Sequence, residues 1–182
     1  MDAPLADWPL EDSRRGADFG LFRVRHDRRR NPRNGVVLSA LVLETSDWVN
    51  VVALTPKREI VLVRQFRFGT GKATLEIPGG VLARGEVPLE GARRELREET
   101  GYVARRWTEL GPVEPNPAFH DNLCHQFLAE DAELEGALEL DPGEDIAVTV
   151  LPMDEVRRRV ASGEIRHSLV LTALARILDL RR

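Results

Sequence analysis

Residues 94–101 read Arg-Glu-Leu-Arg-Glu-Glu-Thr-Gly, which puts Glu95, Glu98 and Glu99 at i, i+3 and i+4. On a helix three carboxylates so spaced leave from one face. The flanks specify a helix over 88–100: Pro88 suits a first turn, Leu89, Ala92 and Leu96 supply an apolar side, and Gly101 is a stop. Gly91 in its interior weakens it by ~1 kcal/mol relative to Ala. Three like charges on one face repel, so the helix needs cations among them. Arg94 supplies one, its planar fork matching a carboxylate. The remaining charge makes a site for a hard divalent cation, and all-oxygen donors select Mg²⁺ or Mn²⁺ over Zn²⁺. The alternative is a solvated acidic face, as most charge runs are. Gly79-Gly80 and Glu86 weigh against it, since a solvated face needs no such residues upstream.

Around this helix the chain reads as strands. Residues 1–18 are polar and Pro-bearing and read as a loose lead-in. Apolar stretches at 19–24 and 36–43 bracket a basic, turn-rich segment with Asn-Pro and Asn-Gly pairs, a hairpin pattern whose Arg28–Arg33 stretch reads as a solvated loop. Strands are predicted at 48–54, 59–66, 74–77, 103–113, 123–128 and 146–151. An acidic, turn-rich segment spans 131–144, and helices are predicted at 153–161 and 168–180. Many strands, a central helix and a helical end make an α+β chain. The expected division is an N-terminal lead-in and β extension at 1–45, serving dimerisation, and a main domain at 46–182.

Composition excludes several classes. The 182 residues carry 26 Lys plus Arg against 30 Asp plus Glu, a net charge of −4, and a nucleic-acid binder usually carries a basic excess. Cys124 is the sole cysteine, so no intrachain disulfide is possible and a reducing, cytoplasmic location is expected. The N-terminus lacks a basic start followed by an apolar stretch, and no run approaches eighteen apolar residues, so neither a secretory signal nor a membrane span is expected. The four histidines, His26, His120, His125 and His167, show no ligand spacing.

From Gly80 through Glu86 to Arg94-Glu-Leu-Arg-Glu-Glu-Thr-Gly-Tyr102, the chain resembles the Nudix box, G-x5-E-x7-R-E-U-x-E-E-x-G-U with U bulky and apolar. Tyr102 stands where an aliphatic is usual. The resemblance implies a Nudix α/β/α sandwich with a mixed central sheet, here with an N-terminal β-rich extension, and Mg²⁺-dependent hydrolysis of a nucleoside diphosphate linked to another group. Carried onto this chain, it makes Glu95 and Glu99 metal ligands and Glu98 an auxiliary one. It also has the Gly79 carbonyl adding an oxygen, Arg94 orienting the carboxylates and Glu86 completing the acidic cluster. The cations would neutralise the diphosphate and activate water.

The segments Trp48–Thr55, Val63–Arg67, Thr74–Gly80, Asn116–Ala118 and Glu144–Ile146 are similar to the branch that cleaves ADP-ribose and nucleoside diphosphate sugars. Pro117 resembles a marker of ADP-ribose pyrophosphatases, although Ala118 replaces the Gly common after it, which shifts weight to the wider sugar-nucleotide group. Trp48 stacks on a nucleobase or packs in the core. Arg67 is the candidate phosphate or ribose contact, with Arg64 out of phase on the same strand, and Glu76 is a candidate nucleotide contact. The branch uses a loop glutamate to activate water; in 141–145 the first candidate is Glu144, with Glu139 and Asp145 behind it. A homodimer is expected. The alternatives are a nucleoside triphosphate pyrophosphohydrolase and a non-catalytic metabolite sensor, the latter disfavoured by an intact box.

Overall fold

The computed structural model describes residues 5–140 and 142–180. It divides into two units, Met1–Ser46 with Glu114–Asn122, and Asp47–Val113 with Leu123–Arg182.

The first unit is an antiparallel sheet of β1 (Leu10–Asp18), β2 (Arg23–Arg30) and β3 (Val37–Glu44), in that order. Two sequence expectations are corrected here. Half of the supposed lead-in is β1, and the basic segment is mostly strand: Arg28, Arg29 and Arg30 lie on β2, with the turn confined to 31–36. β1 is exposed along its whole length, so no hydrophobic alternation marks it. Pairing across strands holds it instead. Ser13 donates to the buried Asp27 carboxylate at 2.8 Å, and Arg30 pairs with Glu11. Arg25 joins Asp27, Glu44 and Asp121 at 3.0, 2.9 and 3.0 Å.

The second unit contains β4 (Trp48–Leu54), β5 (Glu59–Arg67), β6 (Lys72–Glu76), α1 (Pro88–Thr100), β7 (Tyr102–Val103), β8 (Arg106–Val113), β9 (Cys124–Glu130), β10 (Glu133–Leu134), β11 (Ile146–Pro152), α2 (Met153–Ala161) and α3 (Ser168–Ala175). The main sheet runs β11-β5-β4-β9-β8, with β6 also on β5; β4 and β9 are parallel and the other pairs antiparallel. Alternation along β4 sends Val49, Val51 and Ala53 to a core with Ala92 and Leu96 of α1. Val52 and Leu54 go to the opposite core, with Val156 of α2 and Val170, Ala173 and Leu174 of α3. A mixed sheet between helices is the expected α/β/α sandwich.

Helix α1 has the predicted bounds, and Gly101 closes it in the left-handed conformation (φ 73°). The strand predicted at 103–113 divides, because Tyr102–Val103 pairs with β10 while Arg106–Val113 pairs with β9. The last helix ends at Ala175 rather than Leu180. There Arg176 turns its guanidinium onto the carbonyls of Leu110, Gly111 and Pro112.

One segment changes partners. β4 and β5 pair directly at Ala53↔Val61 and Leu54↔Ile60. Beyond that, β6 pairs with β5 from Val63↔Glu76 to Arg67↔Lys72. The following residues cross to β4, where Val51 and Val49 donate to the carbonyls of Pro78 and Gly80 at 2.8 and 2.9 Å. Residues 72–81 thus fill the gap where two strands diverge. A Cβ at Gly79 would lie 2.2 Å from the Val49 carbonyl oxygen, so the crossing needs glycine.

Candidate active site

The crossing brings the Gly79-Gly80 backbone against α1. Gly79 donates its N–H to Glu99 Oε2 at 2.8 Å, and its own carbonyl accepts no hydrogen bond among the described residues. A Cβ at Gly80 would lie 2.4 Å from Glu95 Oε1, so that carboxylate rests on the glycine. Glu95 and Glu99 are 8% and 3% exposed. Burial raises Glu95, partly offset by the charge of Arg94. Burial pushes Glu99 up to about 8; the Gly79 N–H opposes this, and the charges of Glu95 and Glu144 add to it. The loop glutamate therefore acts on the same two carboxylates by its field.

Arg94 is the clip of the cluster. Its Nε and Nη2 hold both oxygens of Glu86 at 2.9 and 3.0 Å, while Nη1 reaches Glu95 at 2.8 Å and Glu98 at 3.1 Å. These bonds, that to Glu86 first, raise Arg94, and Glu86 is correspondingly lowered. Glu86 also accepts the Ala83 N–H at 2.8 Å. The reading of Glu86 as one more member of the acidic cluster is thus refined: its oxygens anchor Arg94 and the 82–86 loop. Gly91, read as a weak point, lets that loop lie on the helix, since a Cβ there would be 2.2 Å from Leu82 Cδ2.

Arg67 sends Nε and Nη2 to Glu76 at 2.9 and 2.8 Å. Glu76 is 1% exposed. Burial alone would raise it, but hydrogen bonds from Arg67 and Thr74 outweigh that and hold it low. Glu76 accordingly positions Arg67, whose guanidinium also feels the charges of Glu99 and Glu144. Thr74, which sequence reading missed, sits two residues before Glu76 on β6, so alternation puts both on one face.

The structure gathers Arg67, Glu76, Gly79, Gly80, Glu95 and Glu99, with Arg94, Glu86 and Glu98 at the rim. Trp48 and Arg64 are not among them, whereas Glu144 is near enough for its charge to reach Glu95, Glu99 and Arg67. Trp48 begins β4, half-buried, and alternation places it with Asn50 and Val52, away from the α1 face. Pro117 belongs to the first unit. Arg64 pairs with Glu164 at 2.6 Å. Of the segment 141–145, residue 141 lies outside the described residues.

The donor set fits a hard divalent cation: the carboxylates of Glu95, Glu98 and Glu99 with the Gly79 carbonyl, all oxygen. The oxygens are not drawn to one point; among the described residues no three acidic, His or Cys side chains converge as a metal group. Arg94 holds one oxygen each of Glu95 and Glu98.

A pH dependence of stability follows. Glu99 rises from an ordinary 4.5 to about 8 on folding, so what it contributes is fully present below about 4.5 and lost as the pH rises through about 8. Glu76 is held low, so its contribution is present above its ordinary value of 4.5 and lost in acid. In chelator the protein is expected to melt highest between those limits. A divalent cation held by Glu99, as the oxygen donor set predicts, is expected to raise the melting temperature more at about pH 8.5 than at about pH 6, because a ligand carboxylate must be ionised. Equal increments by calorimetry would rule Glu99 out as a ligand.

Comparison with known proteins identifies the family. A family profile described as the NUDIX domain matches residues 46–172. The ADP-ribose pyrophosphatase of Bacillus subtilis (strain 168) is 36% identical over 133 residues, 72% of each chain. The ADP-ribose pyrophosphatase of Mycobacterium tuberculosis (strain ATCC 25618 / H37Rv) is 34% identical over 156 residues, 85% of this chain and 75% of that one. A crystal structure of an ADP compounds hydrolase superposes with a TM-score of 0.84 at 23% identity, covering 97% of this chain and 95% of that one, which bears on the fold alone. A profile matching residues 46–172 and relatives above 30% identity over more than two thirds of the chain show that the chain belongs to the Nudix hydrolase family.

Proposed function

We propose that the protein hydrolyses the diphosphate bond of ADP-ribose or a nucleoside diphosphate sugar, giving a nucleoside monophosphate and a sugar phosphate, with Mg²⁺ (or Mn²⁺) as cofactor. The observation that carries this reading is the buried pair Glu95 and Glu99 against Gly79-Gly80, with Arg67 and Glu144 acting on the same charges. The relatives named ADP-ribose pyrophosphatase support the substrate class.

Glu95, Glu98, Glu99 and the Gly79 carbonyl would hold the cation, which when bound neutralises diphosphate charge and makes phosphorus a better electrophile. Arg67, fixed by Glu76, contributes a planar donor for the diphosphate oxygens. Arg94 keeps the carboxylates apart and oriented. Glu144 accepts a proton from the attacking water as its oxygen bonds to phosphorus and the bridging oxygen departs on the other phosphate. Trp48 is the proposed stacking surface for the base and Pro117 a further nucleotide contact, both on family resemblance.

Hydrolysis of ADP-ribose, GDP-mannose, UDP-glucose and dGTP, followed by product identification, tests the reading. A monophosphate plus a sugar phosphate from one of the first three is expected. Preferential pyrophosphate release from dGTP would overturn it in favour of a triphosphate pyrophosphohydrolase, and no hydrolysis of any would favour a sensor.

A homodimer through residues 1–45 is also part of this reading. Leu10, Leu38 and Leu41 on the strands of that region and Phe19, Leu21 and Val36 in its turns are 49–69% exposed, and such exposed apolar residues mark a surface that another chain covers. Light scattering at micromolar concentration is expected to give twice the chain mass; a monomer refutes it. Cys124, the sole cysteine, is buried and its thiol is pushed up to about 12 by burial. A chain with one cysteine forms no internal disulfide, and on that ground we propose the reducing cytoplasm as its location. No helix among the described residues is long and apolar enough to cross a membrane.

A further inference from the structure

Glu90, Arg93 and Arg97 follow one another at i, i+3 and i+7 on α1, about half a turn from Glu95 and Glu99. With Val103, Ala104 and Trp107 they line an open groove of ≈ 360 Å³. The indole is fixed: its Nε1–H donates to the Ala104 carbonyl at 3.1 Å, and its ring meets Phe127 nearly edge-on with centroids 6.4 Å apart. Arg93 lies over that indole, 5.9 Å from the centroid, and holds Glu90 at 2.7 Å. The Arg97 guanidinium makes no hydrogen bond among the described residues. It has only carboxylate contacts at 3.9 Å, to Glu98 and Glu139, and its side chain is 52% exposed. Arg94 lines the same groove, but its donors are spent on Glu86, Glu95 and Glu98.

In a chain of net charge −4, the lining of this groove sets two guanidiniums with donors to spare against Glu90, while Glu98 and Glu139 approach Arg97 from outside it only at 3.9 Å. Guanidinium forks match phosphate oxygens better than any other side chain does. An apolar wall backed by a rigid indole suits the body of a small molecule, and the volume is at the lower end for such ligands. We propose that this groove is a second binding site, for a phosphomonoester dianion held by Arg93 and Arg97 with its organic part against Trp107, Val103 and Ala104. The identity of its occupant as a product of the reaction, a nucleoside monophosphate or a sugar phosphate, rests on the function proposed above; the anion chemistry does not.

The test is a titration of the full chain, in chelator, with inorganic phosphate, AMP and ribose 5-phosphate, following the indole N–H resonances of Trp8, Trp48 and Trp107 by NMR, with Trp107→Phe giving the assignment. The Trp107 resonance is expected to move and saturate with at least one ester, and binding should weaken as salt is raised. In R93A/R97A the affinity should fall at least ~10-fold, while turnover stays within about twofold of the parent. R97Q alone, at an exposed position, gives a smaller fall in the same direction and guards against misfolding of the double variant. A Trp107 resonance unmoved by either ester, saturation by inorganic phosphate alone, or unchanged affinity in both variants overturns the proposal. Intact hydrolysis with no binding here would remove this site only, and binding here without hydrolysis would remove only the product assignment.

Discussion

Glu99→Gln is expected to lower turnover by at least ~10²-fold while leaving the fold intact. Loss of a residue that merely supports a metal ligand typically costs 10–100-fold, and Glu99 is proposed as a ligand itself. Its carboxylate is nearly buried, accepts the Gly79 N–H, and is pushed up to about 8 by burial and by the charges of Glu95 and Glu144. A glutamine reproduces the shape of the neutral form and can still accept that N–H. The variant should therefore melt no lower than the parent in chelator at about pH 8.5, and bind Mg²⁺ more weakly by calorimetry. Full activity, or activity of the parent in excess chelator, would falsify the metal-dependent reading of the box.

Glu144→Gln separates proton transfer from metal binding. Glu144 lies on the loop before β11, yet its charge acts on Glu95, Glu99 and Arg67. Removing a general base costs typically ~10²–10⁴-fold, so kcat should fall by that factor with KM little changed and Mg²⁺ affinity preserved, because no ligand is altered. Should Glu144→Gln turn over normally while Glu139→Gln or Asp145→Asn does not, the base is elsewhere on the same loop. If all three retain activity, no loop carboxylate takes the proton.

The parts of the molecule legible in the sequence are those whose cause is local. Helix α1 was readable because Pro88, the spacing of Leu89, Ala92 and Leu96, and Gly101 each mark it within a turn or two. β4 and β5 were readable as apolar runs because helices cover them on both faces. β1 was not, since nine exposed, mostly polar residues become a strand only through pairing with β2. The same holds in the site. Three box glutamates on one face follow from helical spacing, but the grip of Glu86 on Arg94 and of Glu76 on Arg67 depends on a loop path and on the β5–β6 register. Glu76 looked like a ligand contact from its place before Pro78-Gly79-Gly80. Only the register shows it buried and fully engaged by its own chain.

The stretch from β6 to Val81 answers to two neighbours in succession, β5 and then β4, and this decides where the chain tolerates a change of length. One residue inserted between Glu76 and Gly80 satisfies either partner only by slipping the other, and a slip of one turns every following side chain to the opposite face. Among the described residues of 131–145 the one regular element is the two-residue β10, so added length there costs little closure entropy. Insertions and deletions should therefore accumulate in that segment and be purged from the crossing. The loop that carries Glu144 can be rebuilt for a new leaving group while the glycines beneath Glu95 and Glu99 stay in frame.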